Sequence, residues 1–229
     1  MASLEALKKQ AALRAVAHVK SGMHVGLGTG STAKYATEAI GERLQRGELE
    51  GISAVATSTA SADLAQSYGI TLRDLSGQRL DVAIDGMDEL DPQLNAIKGL
   101  GGALTREKMV EVCADLLILI ADDTKLVERL GEKARLPVEV VPFGWRSTES
   151  HLRALGLTPE RRHDSGEPFI TDNGNYILDC RLPQKDVHKL AERISVTPGV
   201  LEHGFFLDMA GLAYVASATE VTEYKRGTS

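Results

Sequence analysis

His24-Val25-Gly26-Leu27-Gly28-Thr29-Gly30-Ser31-Thr32-Ala33 is the stretch from which the fold is read. Residues 24–27 form a short, mostly apolar run, consistent with a buried strand. Glycines and hydroxyls then alternate through a tight turn, and Ala33, Ala36, Ile40 and Leu44 recur at helical spacing. A strand that passes through a glycine turn directly into a helix opens a βαβ unit, and a parallel partner strand must follow. Residues 52–56 supply it, ending in Thr57-Ser58-Thr59.

Working outward, the same alternation persists. Upstream, Ser3 is a plausible N-cap, and Leu4, Leu7, Ala11, Ala15 and Val19 repeat at helical spacing until Gly22. Downstream, strands are expected at 70–72, 82–84 and 116–120, with helices at 62–68 and 102–114. This order predicts an α/β protein with a Rossmann-like, open, mainly parallel sheet and helices on both faces. After Gly131 the texture changes to a strand at 138–142 and a helix at 147–155. A hairpin is expected with Phe169-Ile170-Thr171 and Tyr176-Ile177-Leu178 flanking Asp172-Asn173-Gly174-Asn175, followed by a helix at 185–194. Segments 201–207 and 212–218 are expected to rejoin the first sheet. The predicted organisation is a Rossmann-like domain of residues 1–130 and 205–229 with a small inserted α+β domain, 131–204.

Composition narrows the function classes. The chain has 229 residues, a formal net charge of −6 and 43% hydrophobic residues, which is ample for a core. An acidic balance without a basic face argues against a nucleic-acid partner. The short basic runs Lys8-Lys9 and Arg161-Arg162 read as solvated faces. The longest apolar run, 116–121, is far too short for a membrane span, and the N-terminus lacks a signal-peptide pattern. A cytoplasmic protein without a membrane partner is expected. Cys113 and Cys180 read as buried free thiols. The six histidines lack metal-ligand spacing, so no bound metal is expected.

In an open parallel sheet, ligands collect at the carboxyl ends of strands, where helix N-termini also point. Four polar clusters fall at such ends: Gly28–Thr32, Thr57–Ser61, Asp85–Asp91 and Asp122–Lys125. The first formally fits a dinucleotide turn, a phosphate cradle or a merely tight bend. The cradle is favoured because strand two ends in hydroxyls rather than in the acid that a ribose requires. Asp85-Gly86-Met87-Asp88-Glu89 has turn chemistry, but Lys98-Gly99-Leu100-Gly101-Gly102-Ala103-Leu104-Thr105-Arg106-Glu107-Lys108 follows closely. Carboxylates, a lysine and a glycine loop together suit proton transfer on an anionic small molecule. Taken alone, Glu107 also reads as a surface acid paired with Arg106 or Lys108, and Lys125 as a solvated helix-start residue.

These motifs, with Thr171–Asn175, Leu136-Pro137-Val138-Glu139-Val140 and Pro198-Gly199-Val200-Leu201-Glu202-His203-Gly204, resemble those of type A ribose-5-phosphate isomerases almost end to end. The resemblance implies interconversion of ribose 5-phosphate and ribulose 5-phosphate through an enediolate, without metal or cofactor, in the pentose phosphate pathway. It implies that Glu107 is the proton-transferring base, that Asp85 and Asp88 handle sugar hydroxyls, and that Lys98 stabilises the negative oxygen. Thr29, Gly30, Ser31 and Thr32 would hold the phosphate with Lys125 and Lys8. Gly86, Met87, Gly99, Leu100 and Gly101 would complete the substrate site. The resemblance also implies a homodimer or homotetramer. A sugar-phosphate-sensing module and a nucleotide-dependent oxidoreductase are the rival readings. The first lacks a helix-turn-helix extension here, and the second lacks the ribose-binding acid.

Overall fold

The computed structural model describes residues 3–183 and 186–227. The chain begins with α1 (Leu4–Val16), β1 (His24–Leu27), α2 (Ala33–Gln45), β2 (Ser53–Ala56), α3 (Thr59–Ser67), β3 (Thr71–Leu72) and β4 (Val82–Gly86). The short strands β5 (Glu89–Leu90) and β6 (Ala96–Ile97) lead to α4 (Leu104–Glu111) and β7 (Leu117–Asp122), then a 3-10 turn at Asp123–Lys125. Next come β8 (Leu136–Val140), α5 (Trp145–Ala154), β9 (Thr158–Arg161), β10 (His163–Asp164), β11 (Glu167–Pro168) and β12 (Tyr176–Arg181). The chain continues with α6 (Val187–Ser195), β13 (Val200–His203), β14 (Phe205–Phe206), β15 (Leu212–Ala216) and β16 (Val221–Lys225).

The main sheet has the order β16-β15-β7-β4-β1-β2-β3 and is parallel except for the antiparallel edge pair β15–β16. Strand order reverses between β1 and β4, so a crevice opens beyond their carboxyl ends. Helices α1 and α2 bury Leu7, Ala11, Ala15, Ala36 and Ile40 against one face. On the other face α4 approaches β1 so closely that a Cβ on Gly26 would lie 2.9 Å from Val110 Cγ1. A second, antiparallel sheet has the order β13-β8-β12-β9. It packs Leu136, Val138, Leu178 and Cys180 against Leu152, Leu190 and Ile194 of α5 and α6.

The expected alternation of strands and helices is present, with several corrections. Helix α1 ends at Val16, and Val19 is buried just beyond it. Helix α4 spans only Leu104–Glu111. Residues 169–171 form no strand. β12 pairs instead with β8 and β9, and Pro168 with His163. The Asn173-Gly174 bend does form, with Gly174 at φ 78°. Segment 201–207 does not rejoin the main sheet: β13 pairs with β8, and β14 with β6, so of the two expected segments it is 212–218 that returns, as β15. The start of helix 185–194 falls partly on Lys185, outside the described residues; the helix described is Val187–Ser195. Cys180 is buried, whereas Cys113 is only partly so, and both thiols are free. Among the described residues no helix is long and apolar enough to cross a membrane.

Candidate active site

The crevice between β1 and β4 is built on one close approach. A side chain on Gly28 would put its Cβ 2.1 Å from Asp85 Oδ1, so only glycine lets the two strand ends meet. Across that gap Thr29 N–H donates to Asp85 Oδ1 at 3.0 Å. Gly30 takes φ 105°, turning the chain into α2. No side chain caps the first turn of α2; Lys34 N–H and Tyr35 N–H donate to Gly30 O and Thr32 O at 3.1 Å each, and the positive end of the helix dipole is left to face an anion. Lys8 Nζ donates to Ser31 Oγ at 3.0 Å, which brings a cation to the same place.

The hydroxyl cluster after β2 serves differently from its expected place in the cleft. Thr29 Oγ1 lies 2.7 Å from Thr57 Oγ1, 2.8 Å from Ser58 Oγ and 3.1 Å from Ser61 Oγ. Thr57, Ser58 and Ser61 therefore brace the glycine turn from behind, and three of the four polar clusters line the cleft.

At the end of β4, Asp85 is 1% exposed and also accepts from Gly86 N at 2.6 Å. Lys98, 2% exposed, donates to Gly86 O at 2.7 Å and stands 2.8 Å from Asp85 Oδ2. Its ammonium also pairs with Glu111 Oε1 at 3.2 Å and Glu107 Oε2 at 3.4 Å. Burial alone would lower the Lys98 pKa, but these three carboxylates together hold it well above the usual lysine range. Glu107 is 3% exposed on the first turn of α4. Burial pushes its carboxyl up to about 8 against the pull of Lys98, and Asp85 and Asp88 add to the rise. Burial also raises Asp88, although a bond from Leu100 N at 2.9 Å opposes the rise. The reading of Glu107 as a surface acid fails, because Arg106 holds Asn173 and Lys108 holds Glu202.

The cleft, about 300 Å³, is lined by Lys8, Thr29, Gly30, Ser31, Thr32, Gly86, Met87, Asp88, Lys98, Gly99, Gly101, Glu107 and Lys125, and also by Leu4, Asp122 and Thr124. Two expected residues stand apart. Asp85 sits behind Gly28 rather than on the cleft surface, and the Leu100 side chain is 45% exposed away from the lining, contributing its N–H to Asp88.

The roles of three residues escaped the sequence reading. Arg162, read as part of a solvated basic run, donates to the carbonyls of Gly99 at 3.2 Å and Leu100 at 2.9 Å while paired with Asp179. It clamps the glycine loop from outside. Glu139 is fully buried and accepts from Thr105 Oγ1, Thr171 Oγ1, Asn173 Nδ2 and Asn175 Nδ2. This gives the Thr171–Asn175 motif a physical task, holding the first turn of α4 in place. Glu111, one turn beyond Glu107, carried no motif signal at all.

Residues 53–220 match the family model described as ribose 5-phosphate isomerase A (phosphoriboisomerase A). The chain is 56% identical over 224 residues to ribose-5-phosphate isomerase A of Deinococcus radiodurans, covering 97% of this chain and 99% of that one. It is 48% identical to the Roseiflexus sp. protein of the same name, covering 94% of each. Among solved structures it superposes on a D-ribose-5-phosphate isomerase in complex with phospho-erythronic acid with a TM-score of 0.95. That pair shares 38% identity, covering 98% of this chain and 100% of the other. The Methanocaldococcus jannaschii ribose 5-phosphate isomerase A structure gives a TM-score of 0.93 at 38% identity, covering 97% and 100%.

Proposed function

The chain belongs to the ribose 5-phosphate isomerase A family, and we propose that it interconverts D-ribose 5-phosphate and D-ribulose 5-phosphate with Glu107 as the base. One observation carries the reading: a buried carboxylate, a buried ammonium and an uncapped helix N-terminus open into a single small cleft. The phosphate sits on Thr29–Thr32 with Lys8 and Lys125. Anchoring that remote group holds C1 and C2 of the open-chain sugar against Glu107. Glu107 removes the C2 proton and returns it to C1. One carboxylate serves both carbons because both protons lie on one face of a cis-enediol. The hydroxyl proton moves from O2 to O1, with Asp88 as the group at the cleft surface able to relay it. Negative oxygen develops in between, and Lys98 with the N–H groups of Gly99 and Gly101 faces it before it forms. Asp85, behind the surface, holds Lys98 and Thr29 in position. The four-carbon phosphorylated acid bound by the structural relative supports this reading, since it pairs a phosphate with an anionic carbon end.

We take residues 1–130 and 205–229 as the catalytic unit and 131–204 as the small unit, in a cytoplasmic homodimer or homotetramer. Exposed Leu13, Met109 and Val112 favour self-association, which light scattering of the purified protein tests. Ketose formation from ribose 5-phosphate tests the activity, and its absence sinks the reading.

Two further results are expected. Because the base must be unprotonated and its carboxyl is raised to about 8, kcat/KM rises with pH through that value and then levels. A profile flat from about pH 6 to about pH 9 contradicts the assignment. Ser31→Ala removes a hydroxyl donor to the phosphate and the partner of Lys8. KM is expected to rise about tenfold with kcat within about twofold, since a hydrogen bond to a charged group is worth about 1.5–3 kcal/mol. An unchanged KM would move the phosphate elsewhere.

A further inference from the structure

Glu111 is buried in α4 with both carboxyl oxygens lacking an aligned hydrogen-bond donor. It does not line the cleft, so it cannot touch the sugar. The groups facing it are Asp85 from β4, Lys98 from the segment after β6, and Glu107 and Lys108 of its own helix. Glu139 on β8 and Glu202 on β13, against which α4 packs, are held by Thr105 and Lys108 respectively. Three carboxylates thus surround the Lys98 ammonium, and full ionisation would leave two uncompensated negative charges almost without water. Glu107 and Glu111 also stand at i and i+4, where like charges repel.

Lysine has three N–H donors. Lys98 Nζ makes an aligned hydrogen bond to Gly86 O at 2.7 Å, while Asp85 Oδ2 at 2.8 Å, Glu111 Oε1 at 3.2 Å and Glu107 Oε2 at 3.4 Å lie within ion-pair range and all lack an aligned donor. We propose that Glu111 is a positioning residue that works as a neutral acid, donating its proton to Asp85 and so leaving the Lys98 ammonium to the reacting side of the site. A proton there satisfies an otherwise unpartnered buried carboxyl and removes one surplus charge. Burial raises the Glu111 carboxyl well above the ordinary range, and the contact with Asp85 adds to this. The inference rests on the isomerase reading only for its kinetic consequence.

The test compares the full-length protein with Glu111→Gln and Glu111→Leu. Infrared spectra at about pH 9, one unit above the Glu107 value, should retain a protonated-carboxyl C=O band that Glu111→Gln lacks. Glu111→Gln, whose amide is also a neutral donor, should keep kcat within about threefold and the acid midpoint of kcat/KM unmoved. Glu111→Leu should lower kcat about tenfold with KM nearly unchanged, because Asp85 loses the donor proposed for its Oδ2 side while Thr29 and Gly86 still donate to Oδ1. If Glu111→Leu does not fold, the glutamine variant and the infrared band decide. No band at that pH, or a midpoint lowered by half a unit or more in Glu111→Gln, overturns the proposal, because either result means an ionised Glu111. A wild-type protein that forms no ketose would sink the isomerase reading while leaving the infrared result standing.

Discussion

Glu107→Gln is expected to lower kcat by about 10²–10⁴-fold, the range general-base removal gives, with KM close to that of the parent. Glutamine matches glutamate in size and keeps the helix, but its amide cannot accept the C2 proton. Phosphate binding is untouched because Ser31, Thr32 and Lys125 come from other elements. The same substitution should raise the melting temperature above neutral pH. The folded carboxyl titrates near 8, above the ordinary 4.5, so between these values the native state binds a proton that the unfolded chain has released. The contribution of Glu107 to stability is therefore complete at low pH and declines as pH rises through that window. Glutamine avoids the decline, and the gap between the two proteins should close toward pH 5. Stability is given up here for a poised base. A variant retaining kcat within about tenfold removes Glu107 as the base. A variant that melts lower at pH 8 would mean that the ionised carboxylate is stabilised by Lys98 more than burial penalises it.

Much of this was legible because local signals agree with the fold. Residues 25–27 are buried in a parallel sheet, so their apolar run reads true, and the glycines that follow meet a backbone demand at Gly28 and Gly30. What escaped was decided by tertiary contacts. Asn173-Gly174 correctly signalled a bend, but what the bend connects is set by Glu139, a buried carboxylate 34 residues away along the chain. Residues 201–207 are apolar enough for a sheet return, yet Gly204 lets the chain pass against Lys98 O, where a Cβ would lie at 2.3 Å, and the strand changes partner there. Glu111 resembles any helix-surface glutamate until α4 is seen to bury it. Arg162 resembles a solvated arginine until the loop carbonyls are seen to face it. Periodicity reports which face is apolar; it does not report which charges share a cavity.

Lys98→Met is expected to damage both folding and turnover, and the pH dependence separates the two effects. The methionine keeps the apolar stem but removes the buried ammonium paired with Asp85, Glu107 and Glu111. Leaving buried carboxylates without a counter-charge costs about 3–5 kcal/mol. The loss should be largest at high pH, because protonation of the carboxyls replaces the missing cation at low pH. Unfolding measured at pH 5 and pH 8 should therefore show a steeper fall in the variant than in the parent. Loss of contact with the Phe206 ring, 5.1 Å from the ammonium, is independent of pH and sets the residual difference at pH 5. Where the variant is folded, kcat should drop about 10²–10³-fold, the cost of one preorganised donor to a developing oxyanion. Equal stability at pH 8 would mean that the carboxylates do not depend on Lys98 for compensation. A kcat within about fivefold would mean that the negative oxygen develops out of its reach, facing the backbone N–H groups of the glycine loop instead.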